Sequence, residues 1–148
     1  MSYINLNYHL VFSTKQRQPF ITNEMMSRLA PYIGGIIRQM DGQLIIANGP
    51  EDHLHIAAIL NQKRALMDVL QDIKGGSSEW IHETFPEMRE FTWQEGYAAF
   101  SVSHSVMPKV VEYIRGQAEH HKKMTFQEEL IEFLNRHGVK YDEHYIWK

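Results

Sequence analysis

The chain has 148 residues, 43% of them hydrophobic and none of them cysteine. That supports one domain spanning 1–148 with a real core, excludes disulfide and thiolate chemistry, and makes a cytoplasmic location the simplest expectation. No apolar run approaches the roughly 20 residues of a membrane span, and no signal-peptide pattern opens the chain. The net charge of −3 excludes a global basic field, and the acidic excess lies in the middle, so an anionic partner must be met by local basic groups.

In chain order, residues 3–13 alternate apolar and polar and then turn wholly apolar, the pattern of a strand entering the interior. Lys15-Gln16-Arg17-Gln18-Pro19 is a basic polar connection, with Lys15 and Arg17 as candidate phosphate contacts. Thr22 or Asn23 caps a helix to about Met40, within which Pro31 predicts a kink or a late start. Residues 43–48 and 53–60 flank the turn cluster Gly49-Pro50-Glu51-Asp52 and predict an antiparallel hairpin. A second helix is expected from about 64 to 83, where Gly75-Gly76-Ser77-Ser78 predicts either a break or a tight contact, with Lys74 just before it. The aromatic-rich residues 91–94 and 97–103 read as one strand, bulged or bent at Gly96.

A third helix is expected from about Ser105 to Lys122. Thr125-Phe126-Gln127-Glu128 then matches a capping box for a fourth, with Leu130, Ile131, Phe133 and Leu134 inward, stopping at His137-Gly138. The aromatic tail is expected to pack on the body. Strand, helix, strand, strand, helix, strand, then two helices is the order of a split βαβ unit with additions. The fold expected is therefore α+β: a ferredoxin-like (RRM-like) antiparallel sheet with helices on one face, plus C-terminal helices.

Asp52-His53-Leu54-His55 carries the chemistry. On a strand, His53 and His55 point the same way, roughly 7 Å apart at Cα, while Leu54 goes to the core. Two such imidazoles can share one metal ion but need a further ligand. Tyr113 and Gln117 lie four apart on the third helix and therefore on one face, where a Gln oxygen is a modest ligand and a Tyr beside it a potential nucleophile. His120 and His121 are alternative ligands. Two imidazoles with an amide oxygen suit Mn²⁺ or Zn²⁺.

Taken together, Tyr8-His9-Leu10-Val11-Phe12-Ser13-Thr14-Lys15, Asp52-His53-Leu54-His55, Trp93-Gln94, Gly96-Tyr97, Phe100-Ser101-Val102-Ser103 and Tyr113-Ile114-Arg115 with Gln117 resemble the single-tyrosine HUH transposases. This group includes insertion-sequence and REP-associated tyrosine transposases. The resemblance runs over nearly the whole chain. It implies that His53, His55 and Gln117 hold Mg²⁺ or Mn²⁺ and that Tyr113 is the catalytic nucleophile. It implies strand transfer of single-stranded DNA at hairpin-bearing ends through a 5′-phosphotyrosine, in a homodimer whose active site is shared between chains. Lys74, Arg115, Lys15, Arg17 and Lys122 are the expected DNA contacts. A domesticated hairpin-specific single-strand endonuclease and a non-catalytic hairpin-binding regulator are the alternatives.

Overall fold

The two most buried strands, β3 (His53–Ile59) and β1 (Asn7–Ser13), lie side by side at the centre of a four-stranded sheet. The computed structural model describes residues 1–121 and 123–147, apart from the His120 side chain. β2 (Gln43–Asn48) and β4 (Ala98–Val102) form the edges, in the order β2-β3-β1-β4. All three pairings are antiparallel, so the architecture is the expected ferredoxin-like one. Central strands covered on both faces must be apolar nearly throughout, and those of this chain are, except for the histidines and short polar groups on one face.

α1 (Asn23–Gln39) and α2 (Leu66–Thr84) cover the other face. Their Leu29, Ile33, Ile37, Val69, Leu70 and Ile73 pack with Leu10, Phe12, Leu54 and Ile56 in the main core. Thr22 accepts the Met25 N–H and caps α1, which then runs through Pro31 without ending. Pro31 and Ser27, the residue whose carbonyl it deprives of a donor, are both exposed, so water can serve that carbonyl.

The Gly75–Ser78 run is a contact rather than a break. A Cβ at Gly76 would sit 3.0 Å from Ile36 Cδ1 of α1. Buried Ser77 accepts the Trp93 indole N–H at 3.0 Å. Residues 91–94 do not extend β4 as expected. They still run antiparallel to the end of β1 beyond a bend that includes Gly96: Trp93 bridges to Thr14, the Lys15 N–H reaches the Thr92 carbonyl at 2.8 Å, the Gln94 N–H reaches the Ser13 carbonyl at 2.9 Å, and the Gln94 side chain takes the Ser13 N–H at 2.7 Å. Trp93 is drawn into the main core against Phe12 and Phe91.

The remaining helices lie on the histidine face. The expected third helix divides at Gly116 into α3 (Met107–Arg115) and α4 (Gln117–His120). α3 packs on Ala57 of β3 through Met107 and Ile114. α5 (Phe126–Arg136) opens with the expected capping box, in which Thr125 and Glu128 satisfy one another's backbone N–H groups. It ends at Gly138, whose φ of +65° lies in the left-handed region that glycine tolerates. Phe126, Leu130 and Leu134 build a second core with Val11 and Phe100, and Tyr141 and Trp147 of the tail pack against it.

The hairpin before β3 is unusually close. A Cβ at Gly49 would lie 2.2 Å from the His53 carbonyl oxygen. The Asp52 carbonyl accepts the Thr14 N–H at 2.9 Å, tying the start of β3 to the end of β1.

Candidate metal and nucleophile site

Pairing of Ser13 with His53, Val11 with His55 and His9 with Ala57 places three histidines on the face away from α1 and α2. His9, His53 and His55 are each at most 2% exposed. The His53 Nδ1–H donates to Asp52 Oδ1 at 2.8 Å. This is the carboxylate–imidazole arrangement that orients a metal-binding histidine and leaves its Nε2 as the outward atom. That Nε2 is buried and makes no hydrogen bond, although Glu129 Oε1 is 3.2 Å away. His55 Nε2 donates to the same Oε1 at 2.9 Å, and its Nδ1 accepts from His9 Nε2 at 2.8 Å.

Glu129 is the hub. It is 1% exposed, and its Oε2 accepts from the Tyr113 hydroxyl and, at 3.4 Å, from the Gln117 side-chain amide. His121 Nε2 lies 3.3 Å from the same oxygen and donates to Gln117 Oε1 at 3.0 Å. One carboxylate therefore touches both imidazoles of the strand, the amide and imidazole of the α4 segment, and the tyrosine of α3.

The electrostatics follow from that burial. For Glu129, burial favours the neutral acid, but the close approach of His121, His53 and His55 outweighs it and holds the carboxyl far below its ordinary range. For His53, burial disfavours the cation, but Asp52 and Glu129 together raise its pKa above the ordinary value. Burial lowers His55 to about 4, and lowers His9 to about 3 with help from His55, so both rings are neutral at neutral pH. Burial, and then the bond to Glu129, raise the Tyr113 phenol well above its usual value. Tyr113 thus rests as a neutral phenol.

The donor set fits a divalent cation. One nitrogen or oxygen from each of His53, His55, His121 and Glu129 falls within 4.8 Å of every other. Ligands bound at about 2.0–2.2 Å in a tetrahedron stand about 3.3–3.6 Å apart, so only small adjustments are needed. The outward, unbonded Nε2 of His53 is the atom such an ion would satisfy. Neutral imidazoles with one carboxylate and an amide oxygen suit Mn²⁺ as well as Zn²⁺.

The chain therefore brings together Tyr113, His53, His55 and Gln117, the four residues singled out by sequence. It does so across the Gly116 break, because the Gly116 N–H still bonds Glu112 and keeps Gln117 one turn from Tyr113. Sequence reasoning missed Glu129 and gave His9 no role. The signal for Glu129 was present: Phe126, Glu129, Leu130 and Phe133 share one helical stripe, and a carboxylate on an apolar stripe demands a partner. His9 alternates with Val11 on a buried strand, which carries the same warning.

The expected DNA contacts are dispersed. The Lys74 amine is half-buried, lies 5.7 Å over the Phe12 ring, and donates to the carbonyls of Glu95 and Gly96 at 2.9 Å each. Its burial lowers its pKa. Arg115 is exposed and pairs with Glu112. Lys15 is exposed, Arg17 sits 5.6 Å over the Trp147 ring, and Lys122 lies outside the described residues.

Sheet order, paired strand histidines and a helical tyrosine define a class. The model of the family described as "Transposase IS200 like" matches residues 2–117, and the chain belongs to that family. It is similar to ISDra2 transposase TnpA of Deinococcus radiodurans, with 24% identity over 117 residues that cover 76% of this chain and 84% of the relative. Among solved structures it is similar to a crystal structure assigned as a transposase from Deinococcus radiodurans r1. That likeness has a TM-score of 0.65 and 22% identity, covering 78% of this chain and 93% of the other. It is also similar to a REP-associated tyrosine transposase bound to a REP hairpin, with a TM-score of 0.60 and 14% identity, covering 82% of this chain and 72% of that one. At these identities the structures bear on the fold alone. α5, and Glu129 with it, lies beyond the family-matched stretch.

Proposed function

We propose that this transposase cleaves and rejoins single-stranded DNA at hairpin-bearing element ends, with Tyr113 as nucleophile and His53, His55 and Gln117 serving Mg²⁺ or Mn²⁺. The observation that carries the reading is the shared carboxylate: the Tyr113 hydroxyl and both strand imidazoles contact Glu129. A cavity of about 480 Å³ opens beside Tyr113, lined by Ser101, Ser103, Lys109 and Arg136, whose hydroxyl and cationic groups suit a phosphodiester.

A divalent cation held by His53, His55 and Gln117 would supply charge neutralisation at the scissile phosphate. The Tyr113 oxygen forms the new bond to phosphorus, and the bond from phosphorus to the 3′ oxygen breaks. Glu129 Oε2 orients the Tyr113 hydroxyl, and the phenol proton leaves by way of solvent to the 3′ oxygen that departs. The departing 3′ oxygen takes up a proton, and the 5′ phosphate stays esterified to Tyr113. Attack by a later 3′-OH reverses the step without an external energy source, because the phosphodiester is conserved in the tyrosyl ester. His9 orients His55, and Asp52 orients His53.

The resemblance implies a homodimer that shares its sites, yet in this chain Tyr113 reaches the His53–His55 pair without a partner. The test is incubation with labelled single-stranded hairpins from the element's ends plus Mg²⁺ or Mn²⁺. A covalent adduct at Tyr113 is expected, lost in Tyr113→Phe. No adduct on any such hairpin sinks the reading. Mixing Tyr113→Phe with a His53→Ala, His55→Ala chain then decides the geometry: no recovery is expected for sites within one chain, and restored cleavage shows sharing between chains.

A further inference from the structure

We infer that Glu129, on the C-terminal helix beyond the family-matched stretch, is itself a metal ligand, so that α5 closes the cation site. The inference rests on the proposed role of His53 and His55 and adds a residue to it.

Geometry divides the two oxygens of Glu129. Oε1 faces the strand, 2.9 Å from His55 Nε2 and 3.2 Å from His53 Nε2, the two atoms that would ligate an ion held by the histidine pair. Oε2 faces Tyr113, Gln117 and His121. An ion placed between the two imidazole nitrogens therefore meets Oε1 without any movement of α5. The second observation is the His53 Nε2, wholly buried, aimed at Oε1 and without a hydrogen bond.

The division also links the two halves of the site. With Oε1 on the cation, Oε2 remains to hold the Tyr113 hydroxyl, so the same side chain that completes the ion's shell sets the position of the nucleophile. α5 is well built for this duty. Its capping box fixes its first turn, and Phe126, Leu130 and Leu134 anchor it to Val11 and Phe100 on either side of Glu129.

Two measurements on the full chain test it. Isothermal titration with Mn²⁺ should show Glu129→Gln binding about 10–100-fold more weakly than wild type, with Tyr113→Phe within about twofold. Hydrogen exchange on the wild type should slow across α5 as well as β3 when Mn²⁺ is added. Wild-type affinity in a folded Glu129→Gln overturns the inference, as does exchange that slows in β3 and not in α5. If Glu129→Gln does not fold, the exchange result on wild type decides. A wild type that binds Mn²⁺ no better than the His53→Ala, His55→Ala variant overturns the histidine site itself, a different outcome from loss of Glu129 alone.

Discussion

On β3, Leu54 and Ile56 pack into a core shared with α1 and α2, whereas His53 and His55, each one peptide away, meet Glu129 from α5. The two faces are equally buried and chemically opposite. One holds its helices by apolar area, at about 25 cal/mol per Å² removed from water. The other holds α3 and α5 by smaller apolar clusters that surround a group of charges and hydrogen bonds whose own net stabilisation is small once desolvation is counted. The apolar face can therefore carry most of the stability, and the histidine face is left to hold His53 and His55 on a rigid strand opposite Tyr113 of α3.

That division can be broken at adjacent residues. The largest effect is expected for His53→Ala or His55→Ala, where loss of several kcal/mol of charge stabilisation lowers cation-dependent cleavage by about 10³-fold. Rates on labelled hairpins would show it, and a variant that still cleaves well contradicts the assignment of chemistry to this face. Leu54→Ala, between them, should lose about 2–5 kcal/mol of stability in denaturant titrations and keep its cleavage rate per folded molecule. Next comes Lys74→Met, which removes two charge-assisted bonds to the 95–96 carbonyls. It should cost about 1–2 kcal/mol and leave hairpin affinity unchanged. Unchanged stability with weakened, less salt-dependent binding would instead put Lys74 on the DNA. The smallest effect is Thr125→Ala, which removes the cap of α5 and should lower stability by about 1 kcal/mol.

Most of the sheet was legible because its strands obey a period of two and its turns carry Gly, Pro and Asp. The residues 43–48 and 53–59 emerged almost to the residue. What was not legible was decided by contacts distant in sequence. Gly75–Ser78 reads locally as a helix breaker and becomes a close helix crossing only because Ile36 and Trp93 arrive there. Trp93 reads as a strand residue and is taken by the core. In the site, spacing put His53 with His55 and Tyr113 with Gln117 on shared faces of single elements, and the family resemblance joined the two pairs. Glu129 sits on an apolar stripe that demands a partner, but which partner depends on α5 folding back across β3, and nothing local to Thr125–Arg136 states where that helix docks.

Gly49 governs more than a turn. Because a Cβ there would run into the His53 carbonyl, the hairpin works as a mechanical stop against which β3 seats. A single added methyl group would displace His53 without touching its ring. The placement of His53 is thus specified from outside the site, by a residue with no side chain, and a search confined to the groups that do the chemistry would pass it over.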